Sequence, residues 1–460
     1  MLHKIRSTLG LLRRLPVQSY YTLSGWRFAD LKEHIDRSNV KNDDALLAFI
    51  EVTSAISAGA GPRAKTALVT CLPPDESGIA NFSLKHILAA RAELDVFSPV
   101  RDVAQFLRNS ALINKGTGGL ARLHPLSSLL ALNEMQSYET LVFVIGNSNH
   151  NVDAYRAMES VARLQGADRS ICYLHDPCCH NVVQVAKRLN GDEYVKYLTQ
   201  VYGTRLPGGM GLEGWRVHRT AVERGIMGVR AILDAGAGRF LVNSKTAADL
   251  VLNDLPAERR ERVKVEQLFH PTFPLEPGIA EALEQKQPGG PFVVGTFGGA
   301  DHSKRSEVVV EAVKNMRDRG EPVELRIAGY RARNFVDLFF GGNVPDWVHA
   351  SEPPTERELQ TEMAKCDIAI QLRKESLGES SGVVPTLLGM GIPTVVSPIG
   401  AFREYGDAVL YFEGGVSDLT TLLEKRPSVP ASVMQEYAEK HSLSAFEEAF
   451  RLSVSKVLAE

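Results

Sequence analysis

The sequence predicts an α/β protein made of two parallel-sheet domains, and three observations carry that expectation. The chain has 460 residues, too many for one ordinary hydrophobic core and suited to two domains of roughly 150–200 residues each. Short continuous apolar runs alternate with helical stretches, as in strands buried on both faces by covering helices. A proline- and glycine-rich break over 271–291 interrupts this rhythm, which then restarts.

Taken in order, residues 66–71 form the first strand, Pro73-Pro74 ends it, and a helix opens at 78–81 and runs through Leu88. Residues 141–145, 171–174 and 240–242 are further strands, the last leading through Asn243-Ser244 into a helix over 247–252. Pro271, Pro274, Pro277, Pro288 and Pro291, with Gly289-Gly290, then surround a short acidic helix, which is the composition of a hinge. Beyond it come a strand at 292–297, a helix at 307–316, strands at 323–327 and 367–370, a helix at 383–388 and a strand at 394–396. One polar helix closes the chain. The expected boundaries are a basic helical extension over 1–62, a first domain over 63–272, a hinge over 273–290, a second domain over 291–430 and the C-terminal helix over 431–460.

Apolar residues make up 44% and charged residues 23%, which excludes a disordered, collagen-like or coiled-coil chain. Lys plus Arg is 52 against 55 for Asp plus Glu, a net of −3. Without a global positive field, nucleic acid is not an expected partner, and any phosphate must be held by a few placed groups. Five cysteines, mostly inside apolar runs, suit a reduced cytoplasmic protein without a disulfide framework. No apolar run approaches the ~18 residues of a membrane span. Residues 1–29 carry Lys4, Arg6, Arg13, Arg14 and Arg27 and no acid. Leu2, Ile5, Leu9 and Leu12 recur there at helical spacing. Two readings follow: peripheral contact of residues 1–16 with an anionic membrane at its inner face, or a helix packed on the next domain.

In open parallel sheets, ligands bind where strands end and helices begin. The most informative such stretch is LRKESLGESSGVVP, residues 372–385. If a helix starts near Val383, the amides of Ser381, Gly382 and Val383 are first-turn donors without intrahelical partners, suited to phosphate. Arg373 at the strand end adds a fork for phosphate or carboxylate. Glu379 ahead of the helix can accept hydroxyl hydrogen bonds, as from a sugar. The plainer reading is that Ser380 caps the helix and Glu379 favours its dipole. A second stretch, TFGGADHSKR over 296–305, places Gly298 after a strand and Lys304-Arg305 at a helix start, where cations oppose the dipole and suggest an anionic ligand. A third, PPDESGIA over 73–80, puts Gly78 and Ile79 in a loop where the backbone can approach a ligand. A fourth, HDPCCH over 175–180, lacks the paired spacing of zinc sites. Cys178 and Cys179 then serve as apolar filler, and His175 at a strand end is available to a substrate.

Together these stretches resemble glycosyltransferase family 4, retaining enzymes of the two-Rossmann GT-B fold, over about residues 65–424. GESSG at 378–382 is similar to a subgroup pattern written G-E-x-S-G, and LPPDESGIA at 72–80 resembles the family's N-terminal glycine loop. The resemblance implies two domains facing a cleft, a nucleoside-diphosphate sugar as donor, and a glycan, lipid-linked or protein hydroxyl as acceptor. It implies a hexosyl transfer with retention in polysaccharide or glycoconjugate biosynthesis, with no metal or other cofactor. Lys304 would neutralise the leaving diphosphate, and Glu379 would take donor-sugar hydroxyls with His175 opposite. Arg305, Arg373, Gly298 and the amides of Ser381, Gly382 and Val383 would hold the phosphates; Gly78 and Ile79 would line the N-terminal side. One departure is that Thr386 and Leu387 stand where the family keeps a ribose-binding carboxylate. Alternatives are a catalytically silent partner subunit, a nucleotide-sugar epimerase, or an inverting transferase using His86, His150 or His180 as base. A dinucleotide-dependent dehydrogenase lacks its GxGxxG with a ribose acid.

Overall fold

The computed structural model describes residues 47–48, 51–52, 64–204, 206, 214–285 and 289–459. The extension over 1–62, with its membrane reading, lies almost wholly outside the described residues. The chain divides into two compact units, 1–144 with 150–170 and 145–149 with 171–460.

In the first unit, β1 (Thr66–Val69) leads through a loop to α1 (Gly78–Leu88), followed by β2 (Leu94–Ser98), β3 (Ala121–Pro125) and β4 (Thr140–Ile145). β1 pairs in parallel with β2 and β4, and β2 with β3. Strands β2 and β3 are absent from the apolar pattern because each carries a polar residue into the core. Asp95 in β2 is buried, accepting from the Tyr138 hydroxyl at 2.7 Å and facing His124 of β3 at 3.3 Å. Burial alone would lower the His124 imidazolium, but Asp95 and then Glu51 outweigh it and hold it at about 9.

The second unit continues with β5 (Ser170–Leu174), β6 (Arg239–Val242), α2 (Lys245–Asp254) and β7 (Lys264–Gln267). The first sheet runs β3-β2-β1-β4-β5-β6-β7. After the short helix Ile279–Glu284 come β8 (Phe292–Phe297), α3 (Ser306–Asp318), β9 (Val323–Ala328), β10 (Val348–Ser351), β11 (Ile368–Gln371), α4 (Val383–Gly389), β12 (Thr394–Val396) and β13 (Leu410–Tyr411). The second sheet runs β10-β9-β8-β11-β12-β13, and every recorded pairing is parallel. Both sheets therefore follow the 3-2-1-4-5-6 order of a dinucleotide-type fold, whose order reverses beside the first strand. Val294, Leu325 and Ile370 pack with Val309, Val313 and Met316 of α3 into one core.

The closing segment differs from the single polar helix expected over 431–460. It is two helices, α5 (Ala431–Lys440) and α6 (Leu443–Ala459). At the break, the Thr272 amide donates to the His441 carbonyl at 2.7 Å, and Thr272 bridges Ser442. Nor is α6 polar all round, since Phe446 and Phe450 are buried against Tyr173. Among the described residues, no helix is long and apolar enough to cross a membrane.

Candidate functional site

The reversal point of the second sheet lies between β8 and β11, and the loops leaving these two strands carry most of the expected residues. After β8, Gly298 has φ +92° and its backbone runs close to its neighbours. A Cβ there would lie 3.0 Å from the Lys304 Nζ. On the adjacent strand, Gly329 (φ +143°) comes so close that a Cβ would overlap the Gly298 carbonyl. Asp301 shapes the turn by accepting from the Ser303 and Lys304 amides at 2.8 and 3.1 Å. The Lys374 amide donates to the Ser303 carbonyl at 2.8 Å, which joins this turn to the β11 loop.

The result is a half-buried ammonium laid over two glycines. Burial, then the charge of Arg373, pushes the Lys304 amine down to about 8 against the pull of Asp301 and Glu379. Burial likewise lowers the Arg373 guanidinium against Glu379 and Asp301. Arg373 is anchored through its backbone, whose amide donates to the Ser397 Oγ at 2.9 Å, and its guanidinium lies 5.6 Å from the Phe402 ring. Neither cationic head makes an ion pair or hydrogen bond among the described residues. Two desolvated like charges beside each other are costly unless an anion joins them.

In the segment after Arg373, neither residue expected to serve the helix start makes a cap bond. Glu379 accepts from the Leu377 amide at 2.8 Å, and the Ser380 hydroxyl points to the Asn243 carbonyl at 3.5 Å, so neither caps α4. The cap position itself is Gly382, without a side-chain cap, and the Ser381 Oγ just before it accepts from the Val384 amide at 3.3 Å. The amides of Ser381, Gly382 and Val383 have no hydrogen bond among the described residues. Gly378 (φ +90°) is pressed against the first sheet's loops: a Cβ would come within 2.8 Å of both Pro177 and Leu250. That contact brings the β5 loop to the β11 loop.

At the end of β5, the His175 Nδ1 lies 3.3 Å from the Asn243 Nδ2, and Asn243 accepts from the Tyr173 hydroxyl at 2.6 Å. Asp176, to which the sequence assigned no role of its own, accepts from the Asn147 amide at 2.9 Å. Burial raises its carboxyl, with Glu379 adding to the shift. The buried thiols of Cys178 and Cys179 are free. His180 has both ring nitrogens engaged, by the Tyr194 hydroxyl and the Ile226 carbonyl at 2.8 Å each. Burial lowers it to about 4 and makes it a core residue rather than a base.

Of three further expected residues, one belongs to this unit and two to the first. Arg305 turns to the Gly414 carbonyl at 2.6 Å. Gly78 and Ile79 belong to the first unit, where Gly78 opens α1 and the Ile79 amide is capped by Ser77 at 3.2 Å. At the ribose position, Thr386 donates to the Gly382 carbonyl at 2.9 Å and Leu387 is fully buried. Tyr330, also missed, is 72% exposed at the end of β9, and its carbonyl accepts from the Ala300 amide of the glycine loop at 3.1 Å.

Solved structures share this architecture. Anabaena HepE in complex with UDP and glucose aligns over 85% of this chain and 99% of its own, at 12% identity and a TM-score of 0.53. The fold is GT-B. Sucrose-phosphate synthase from Thermosynechococcus elongatus covers 86% of this GT-B chain and 99% of its own, at 12% identity and a TM-score of 0.54. An α,α-trehalose-phosphate synthase (UDP-forming) from Burkholderia xenovorans, in complex with glucose-6-phosphate, covers 85% and 99% at 11% identity and a TM-score of 0.51. No family model matches the sequence, and no curated protein does.

Proposed function

We propose that the protein is a glycosyltransferase of the family 4 type, moving a hexosyl group from a nucleoside-diphosphate sugar to a hydroxyl acceptor with retention of configuration. The observation that carries this reading is the pair of half-buried cations, Lys304 and Arg373, which sense Glu379 and Asp301 but make no direct ion pair among the described residues, next to three unspent amides. A diphosphate suits that pair, with Gly298 leaving room for it and the amides of Ser381, Gly382 and Val383 completing the cradle. Glu379 accepts hydroxyls of the donor sugar, and His175 serves the sugar from the β5 side. With the sugar toward β11 and the diphosphate over β8, the nucleoside extends along the carboxyl edge to β9, where Tyr330 offers a stacking face.

Cleavage of the sugar–diphosphate bond builds positive charge at the anomeric carbon and negative charge on the departing phosphate. Lys304, Arg373 and the helix amides are preorganised for the latter, the role that a metal ion takes in other transferases. The acceptor attacks from the same face, and the leaving phosphate takes its proton. Gly78 and Ile79 line the acceptor side, Arg305 backs the phosphate loop, and the acceptor is a glycan, lipid-linked or protein hydroxyl. The setting is cytoplasmic, with residues 1–16 touching an anionic membrane. HepE, solved with UDP and glucose, supports starting with UDP.

The test is thermal stabilisation by UDP, GDP and ADP, because a ligand of the folded state raises the melting temperature by mass action. A shift with one nucleotide, lost in Lys304→Ala, supports the reading; no shift with any of them sinks it. Leu387, apolar where a ribose carboxylate is expected, favours a second reading as a silent partner subunit. In that case nucleotide could bind, but no sugar would be transferred from any donor.

A further inference from the structure

A second cavity lies in the same unit as the cation cluster. It measures about 280 Å³ and is bounded by residues 267–270, by 401–405 and by α5 with His441. Lys304, Arg373, Glu379 and His175 do not line it, but it adjoins their neighbourhood through Asn243, which contacts His175, through Ser380, and through His270 beside Gly382. Its volume falls just below the about 300–1,000 Å³ of small-molecule pockets, which suits one ring rather than a nucleotide.

The walls are aromatic. Tyr437 stacks on His441 at 4.0 Å and tilts against Tyr405 at 5.6 Å, while Phe269 meets His441 edge-on at 4.9 Å. Between these rings stand polar groups with unspent capacity. Tyr405 is only 6% exposed, yet its hydroxyl has no hydrogen bond among the described residues. A buried phenol normally finds a partner, and the cavity that Tyr405 lines is where one would sit. The Gln267 amide nitrogen is given to Glu404 at 3.0 Å, which leaves its oxygen. The His441 Nδ1 donates to the Tyr437 carbonyl at 2.9 Å, which leaves Nε2 as an acceptor on an imidazole kept neutral by burial.

Charge then narrows the ligand. No lysine or arginine lines the cavity. Its one carboxylate, Glu404, already accepts from the Lys245 and Thr246 amides at 3.1 and 3.4 Å. An anion would meet no lysine or arginine there, and a cation only a carboxylate already engaged. A ligand with an apolar C–H face and a rim of hydroxyls matches both the rings and the unspent donor and acceptors.

We propose that this cavity is a second carbohydrate site, which takes one uncharged hexose ring as a free monosaccharide or as the end of a glycan. Tyr405 and His441 meet its hydroxyls, and Tyr437 and Phe269 its C–H face. The site adjoins the donor site proposed above, sharing Asn243 and Ser380 with it, but none of Lys304, Arg373 and Glu379 lines it, so the proposal does not depend on that reading. The test is ligand-observed NMR titration of the full chain with D-glucose, D-galactose, D-mannose and maltotriose, with and without saturating UDP. Saturable binding of at least one sugar is expected in both conditions. Tyr405→Phe removes one oxygen and keeps the ring, so it should weaken binding about five-fold, the value of one hydrogen bond, at an unchanged melting temperature. Glu379→Ala should leave this binding intact. Binding of maltotriose without any monosaccharide would assign the glycan end. The proposal is overturned if no sugar binds saturably, if Tyr405→Phe binds as wild type, or if Glu379→Ala alone abolishes binding. Failure of UDP to bind would count against the donor reading and leave the sugar titration standing.

Discussion

The loops that follow the first strand of each sheet look alike in sequence and differ in what they leave undone. After β1, the polar groups are largely spent on one another. Asp75 takes the Arg101 Nε at 3.3 Å and the His150 Nδ1 at 3.1 Å, and Arg101 reaches Asp153 at 2.7 Å, leaving only the Asp75 Oδ2 orphaned. Gly78 sits at the first turn of a helix with nothing within 4 Å of a would-be Cβ. After β8, Gly298 holds a left-handed φ of +92°, and the Lys304 ammonium lies over Gly298 and Gly299 without a direct ion pair among the described residues. A glycine in a strand-end loop is therefore weak information by itself. Backbone crowding around it, together with cations that make no direct ion pair among the described residues, is what sets the β8 loop apart and supports the ligand reading proposed above.

The largest effect that could break this contrast is at Gly329. Its φ of +143° is closed to alanine, and the added carbon would push into the Gly298 carbonyl. Gly329→Ala should cost about 3 kcal/mol or more from strain and overpacking together, and should abolish any nucleotide response. Chemical denaturation checks the first and a thermal shift with UDP the second. A variant of wild-type stability would mean that the β8 and β9 loops are not locked together.

Lys304 comes next. Lys304→Ala removes one preorganised charge from the leaving group and should lower kcat/KM roughly 10²–10³-fold, as for the loss of one oxyanion donor, with little change in folding. The pH dependence has a definite sign. The free lysine is held near 8, and only its protonated form attracts a diphosphate. UDP affinity should therefore fall as pH rises through 8, by up to about tenfold per unit for one proton. Calorimetric titration from pH 6.5 to 9.5 tests this, and flat affinity would remove Lys304 from the phosphate site. Tyr330→Ala should have a smaller effect: a lost stacking face is worth about 1–3 kcal/mol. UDP should weaken accordingly while pyrophosphate binds as before; equal weakening of both would place the base elsewhere.

Legibility in the sequence follows the same division. Strands β1, β4, β5, β6, β8, β9, β11 and β12 show as apolar runs because both faces are covered. Strands β3, β7, β10 and β13 do not: β3 carries His124 into the core, β7 and β10 are only partly buried, and β13 has just two residues. Strand β2 is hidden by Asp95, whose partners Tyr138 and His124 lie 43 and 29 positions along the chain. Lys304 and Glu379 stand out because their types oppose or exploit a helix start, which is local information. Gly329, Tyr330 and Asp176 do not, because their roles come from an adjacent strand or from a loop far away in sequence. Tyr405 shows no pattern at all: its meaning lies in a hydroxyl that nothing in the chain meets.

Gly78→Ala carries the smallest effect and cuts the contrast most finely. Gly78 is the first residue of α1, its φ is outside the left-handed region and its Cβ would enter open space. Alanine at a helical position is favoured over glycine by roughly 0.5–1 kcal/mol, so the melting temperature should rise slightly, opposite in sign to Gly329→Ala. Open space in the absence of ligand is also what a close backbone approach to a ligand requires. If the acceptor passes over this turn, the same methyl group should slow transfer several-fold while leaving UDP affinity unchanged. A more stable protein with slower transfer and unaltered nucleotide binding would show that the β1 loop serves the acceptor. Stability gained with turnover unchanged would make Gly78 an ordinary helix start and leave the β8 loop as the glycine loop that meets the substrate.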